Sequence, residues 1–195
     1  MIDIILNAFI FTVTLYLVII VLFRKDGKWS PGTGRLALRF FTVQSNILCA
    51  CSALLMCLFP ASLPVWLLKY IGTAAVMVTM LTVFLFLAPS IGKGGLKQLL
   101  SGSDLFMHLL TPLLALVSFC LLERRGLSFA WALLGMIPVL LYGPWYLYKI
   151  KFAPEEKRWD DFYGFSKGGH WKVSFIMMMA GTFLICVGIM ALQSL

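Results

Sequence analysis

Two short segments hold the residue types that could do chemistry. Arg39-Phe-Phe-Thr-Val-Gln-Ser-Asn-Ile47 places Thr42, Gln44, Ser45 and Asn46 close together at the edge of a long apolar run. Ser101-Gly-Ser-Asp-Leu-Phe-Met-His-Leu-Leu-Thr-Pro112 opens another apolar run with an acid and an imidazole. At 100° per residue Thr42, Ser45, Asn46 and Cys49 share one helical face, with Gln44 nearly opposite. Asp104 and His108 are four apart and share a face with Thr111 and Ala115. A hydroxyl and an imidazole at matched depth can act as nucleophile and base. Asp104 is placed to orient the imidazole, as the third member of a triad does. Ser45 or Asn46 could donate to a developing oxyanion. The competing reading of the Thr42 face is helix glue, since Ser, Thr and Asn hydrogen-bond neighbouring helices in membranes. For His108 the competing reading is a buried neutral ring, but ionisable groups within spans are rare without a role.

The elements that carry these residues follow from hydropathy. The chain has 195 residues, of which 61% are hydrophobic and 12% charged. A soluble domain of this size cannot bury that much apolar side chain, and a bilayer can cover it. Six apolar runs are long enough to span, each near the ~20 residues a bilayer needs. They run roughly over residues 2–23, 38–59, 65–88, 104–122, 128–148 and 171–192. The runs are continuous rather than alternating, which excludes the pattern of a β-barrel. The expectation is an all-α polytopic membrane protein, a single six-helix domain over residues 1–195. The first run has no basic n-region and no small-residue cleavage site, so it reads as a retained span. Span count puts the starts of the second and fourth runs, hence Thr42 and His108, near the same membrane surface.

The net charge of +8 is a matter of placement. Thirteen of the sixteen basic residues fall in the first, third and fifth loops and their flanks, leaving Lys69, Arg124 and Arg125 for the other side. The basic side is expected to face the cytoplasm, with both termini outside. This is an orientation signal and an attraction for anionic lipid headgroups, not a nucleic-acid footprint. Cys49, Cys51, Cys57, Cys120 and Cys186 all fall in predicted spans, with neither a disulfide framework nor zinc-ligand spacing. No metal and no cofactor is expected. The loop Asp160-Asp-Phe-Tyr-Gly-Phe-Ser-Lys-Gly-Gly-His-Trp171 is rich in aromatics and glycine, and could fold back as a lid over the basic end. Its aromatics also suit a membrane interface, and His170 reads as interfacial.

The segments "RFFTVQSNIL", "DLFMHLLTP" and "DDFYGF…GGHW" resemble the androgen-induced gene / androgen-dependent TFPI-regulating protein family, in its bacterial six-span branch. The likeness covers most of the chain in span number and spacing, and "FFTVQSN" is its most specific motif. It implies a hydrolase working within the membrane on fatty acid esters of hydroxy fatty acids. By motif position it implies Thr42 as nucleophile and His108 as its partner. It also implies a bacterial plasma membrane and a lipid substrate in the bilayer. A more distant relative is a phospholipid acyltransferase using a Cys, and Cys49 lies two turns below Thr42. A transporter of small molecules or lipids, and an assembly protein without chemistry, are the rival classes. Pro112 and Pro138, as possible kinks, keep transport open.

Overall fold

The computed structural model describes residues 1–25 and 28–195. The side chains of Arg24, Lys25, Arg35 and Lys167, counted above for charge placement, lie outside the described residues. Six helices are long and apolar enough to cross a membrane. The first span is Ile2–Phe23, the second Phe41–Leu58, the third Leu63–Leu87, the fourth Ser103–Leu122, the fifth Phe129–Phe152 and the sixth Trp171–Ser194. The protein is an all-α integral membrane bundle. Its first loop carries a minimal antiparallel pair, Arg24–Lys25 with Lys28–Trp29, and a short helix at Pro31–Ala37.

The boundaries depart from hydropathy where polar residues finish a helix. The second span starts at Phe41, because Phe40 is extended (φ −84°, ψ 130°). The fifth continues to Phe152, taking Lys149 and Lys151 into its last turn. Basic residues suit a helix C-terminus, and their stems can lie along apolar surface.

The second and third spans form the centre, each half buried within the bundle, whereas the sixth is only 17% buried and faces outward over most of its surface. Their close approach depends on Gly72. A Cβ there would lie 2.8 Å from Ser52 Oγ and 3.1 Å from the Cys49 Cα. Trp66, Tyr70 and Phe119 fill the core toward the ends bearing the termini. Phe41, Val139, Tyr142 and Tyr146 fill it toward the opposite, basic end.

Three spans contain a π-helical turn that finishes just before a proline. Val83–Leu87 precedes Ala88-Pro89, Phe106–Leu110 precedes Thr111-Pro112, and Tyr148–Phe152 precedes Ala153-Pro154. In each case the residue before proline donates its N–H five residues back: Ala88 to Val83, Thr111 to Phe106, Ala153 to Tyr148. Proline has no N–H and its ring crowds the carbonyl four residues earlier. A wide turn accommodates that ring without breaking the span, and π-turns recur at functional sites. His108 sits in the second of them.

Candidate functional site

Thr42 is the second residue of its span, at a helix start whose N–H groups lack intrahelical partners. His108 is carried by the π-turn of the fourth span and is only 7% exposed. The two side chains line one cavity of about 300 Å³ at the basic end, together with Asp104, Phe40, Phe162 and Tyr163. The structure therefore brings together the hydroxyl, the imidazole and the carboxyl that the sequence singled out. No hydrogen bond joins Thr42 to His108 among the described residues.

The imidazole is held by the backbone. His108 Nδ1 lies 2.8 Å from the Leu99 carbonyl oxygen. A carbonyl can only accept, so Nδ1 carries a proton, and in the neutral tautomer Nε2 keeps the lone pair. The orienting partner is thus the chain just before the fourth span. Asp104 faces the same cavity without a hydrogen bond to the ring.

Ser45 and Asn46 are buried and serve the backbone around Thr42. Ser45 Oγ donates to the Thr42 carbonyl (3.0 Å) and lies 2.8 Å from Thr79 Oγ1. Asn46 Nδ2 donates to the Thr42 carbonyl (2.8 Å) and the Met107 carbonyl (3.2 Å), tying the second span to the fourth. Their protons are committed to carbonyls, so they position Thr42 and His108 relative to one another. Asn46 Oδ1 is buried without a partner.

A residue that the sequence offered only as one of the loop aromatics completes the site. The fifth loop folds back over the basic end, and Phe162 and Tyr163 form part of the cavity wall. Tyr163 Oη accepts from the Phe41 N–H at 3.0 Å, at the very start of the second span. The same hydroxyl interacts with the side chain of Thr42 and with Tyr142. Burial pushes the Tyr163 pKa up, opposed by those hydrogen bonds, so the group stays a neutral phenol. Asp161 fastens the loop: its carboxylate accepts from Tyr146 Oη (2.9 Å), Phe165 N–H (2.9 Å) and Ser166 N–H (2.6 Å). Gly164 and Gly169 turn it at φ +70° and +77°, where a side chain would be strained. The sequence marks Tyr163 only as one aromatic of a loop that could fold back; its contact with Phe41 depends on where that loop lands. His170 is exposed and stands outside the site.

Thr42 and Tyr163 also border a narrow apolar cleft of about 30 Å³ between the second, third and fifth spans, lined by Val78, Val83, Phe86 and Val139. A chain entering there would have to part these side chains.

The opposite end holds a second polar group. Lys69, which lies inside the third apolar run on the side bearing the termini, is fully buried in the third span. Its Nζ donates to Asn7 Oδ1 (2.7 Å), and Asn7 Nδ2 donates to Glu123 Oε1 (2.6 Å). Ser118 Oγ donates to the same Oε1 (2.6 Å), and Trp66 Nε1 donates to the Glu123 carbonyl (2.7 Å). A lysine inside an apolar run and an asparagine inside the first span were the available signals for it.

Among the described residues no group of three or more His, Cys, Asp or Glu side chains could hold a metal ion. The five cysteines are free. No protein-family model, no curated protein and no solved structure matches this chain.

Proposed function

We propose that the protein hydrolyses lipid esters inside the membrane, with Thr42 as nucleophile and His108 as base. One observation carries the reading: the Thr42 hydroxyl and a histidine whose Nδ1 is tied to a carbonyl line the same cavity. In the reaction, Nε2 of His108 takes the Thr42 proton as Oγ1 bonds to the ester carbonyl carbon. The carbonyl oxygen turns toward the start of the second span, where the Tyr163 hydroxyl stands. The C–O ester bond then breaks, and the alcohol leaves with the proton from His108. Water attacks the acyl-threonine with His108 again as base, releasing the acid and restoring Thr42. Thr is β-branched and stiff at χ1, and the bonds from Ser45 and Asn46 to its carbonyl hold its backbone in place. Fatty acid esters of hydroxy fatty acids are the substrate class that the family resemblance suggests. The basic end faces the cytoplasm of a bacterial plasma membrane in this reading, with the termini outside.

The test is hydrolysis of such an ester, alongside fluorophosphonate labelling, by purified protein in detergent. Wild type should act, and Thr42→Ala and His108→Ala should lose at least ~100-fold while keeping helicity and elution volume. Undiminished hydrolysis by Thr42→Ala would sink the assignment. A transporter is the second reading. The buried Lys69–Asn7–Glu123 chain favours it, because ionisable groups within spans often mark ion or proton paths. Flux into liposomes that Lys69→Met abolishes, with no ester cleaved, would select it.

A further inference from the structure

A second site lies on the far face of the second span, away from the His108 cavity. A groove of about 450 Å³ opens between the second, third and fifth spans, walled by Leu48, Leu68, Ile71, Pro138 and Leu141. It is far larger than the ~30 Å³ share of one water and suits a stretch of acyl chain. Leu141 on its wall is 72% exposed. At its basic end the wall is Phe41, Tyr142 and Trp145.

That end carries two cations. Lys149 Nζ lies 4.9 Å from the Trp145 ring centroid and 5.7 Å from that of Trp159. Arg39 Cζ lies 5.4 Å from the same Trp159 centroid. The arrangement is braced by backbone: Trp159 N–H donates to the Lys149 carbonyl (3.0 Å), and Tyr142 Oη donates to the Arg39 carbonyl (2.7 Å). Asp160 follows Trp159 in the chain and is exposed. Among the described residues the one ion pair joins the N-terminus to Asp3, so neither cation has a carboxylate partner. Two half-buried cations on one indole repel each other unless an anion joins them.

We propose that this groove binds one anionic phospholipid, with its phosphate between Arg39 and Lys149 and one acyl chain along the groove. Charge selects the occupant: a zwitterionic lipid offers the same chain but brings its own cation to the Arg39–Lys149 pair. Arg and Lys at a membrane surface each contribute on the order of 1 kcal/mol toward anionic lipid, so losing both should cost about 10- to 30-fold in affinity. The site does not depend on the chemistry at Thr42.

The experiment is native mass spectrometry of delipidated protein in neutral detergent, titrated with phosphatidylglycerol or with phosphatidylcholine of the same chains. Wild type should retain one phosphatidylglycerol at least ~10-fold more tightly than phosphatidylcholine. The double variant Arg39→Gln/Lys149→Gln should lose that preference. Leu141→Trp, which fills the groove from its lipid side, should weaken both lipids. Lys97→Gln, an exposed cation elsewhere at the basic end, should change neither. Equal retention of the two lipids by wild type would overturn the proposal. So would a preference that survives the double variant, or one that Lys97→Gln removes as completely. If the double variant fails to fold, the wild-type comparison and Leu141→Trp still decide.

Discussion

The two ends of this bundle treat buried polar groups in opposite ways. At the end bearing the termini, Lys69, Asn7, Glu123, Ser118 and Trp66 bond to one another in a continuous chain with short distances. At the basic end, Thr42, His108 and Asp104 line a cavity, with His108 held by the Leu99 carbonyl and the Thr42 backbone by Ser45 and Asn46. A polar network bonded among its own members steadies a core, with Glu123 Oε2 the one buried atom of this network that lacks a partner among the described residues. Polar groups held in place but not bonded to each other leave room for a substrate between them. In the proposed reading the contrast separates a clamp from a reaction site.

The sharpest way to break the contrast is at the cavity. Thr42→Ala and His108→Ala should each lower ester hydrolysis by a factor of about 10²–10⁴. His108→Ala removes one hydrogen bond to Leu99, so its melting temperature should fall only as far as ~1 kcal/mol allows. A collapse of the fold in that variant would put the two ends in the same class. At the other end the pattern should reverse. Glu123→Leu leaves the Asn7 amide and the Ser118 hydroxyl without their acceptor, and should destabilise by about 3 kcal/mol or more in detergent melts, with the catalytic rate per folded molecule unchanged.

A smaller effect is expected where the clamp meets the centre. Gly72→Ala pushes a methyl into Ser52 and the backbone of Cys49, and should cost about 1–3 kcal/mol of stability. An unaltered melt would mean that the second and third spans separate easily. The mildest change is Tyr163→Phe, which leaves the Phe41 N–H without its acceptor. It should cost about 1 kcal/mol in stability. It should also slow hydrolysis more than it raises KM, because the lost hydroxyl stands beside the nucleophile.

Much of the fold was readable because the bilayer imposes it. Apolar run length gave all six spans, and the first agrees with the structure at both ends, Ile2 and Phe23. The helical period put Ser45, Asn46 and Cys49 inside and left Gln44 exposed. Counting spans brought Thr42 and His108 to one end. What escaped depended on tertiary return. Leu99 holds His108 only because the chain before the fourth span comes back to it, and Tyr163 reaches Phe41 only because the fifth loop closes. The span of Lys69 was legible because it lies inside the third run, whereas the partner that keeps it buried, Asn7, was not, because it comes from another helix.

The π-turn at Phe106–Leu110 has a consequence for how this gene can change. A wide turn is equivalent to one residue inserted into a helix. Deleting the Leu109 codon would close the wide turn to α-helical register without shortening the apolar span below membrane length, with the Pro112 ring then kinking the span. Everything on its N-terminal side would then swing by about 100° against the rest of the fourth span. Asp104 and His108 would leave the cavity while Thr111 and Ala115 kept their neighbours. Such an in-frame deletion would yield a protein that inserts and packs yet has no imidazole facing Thr42.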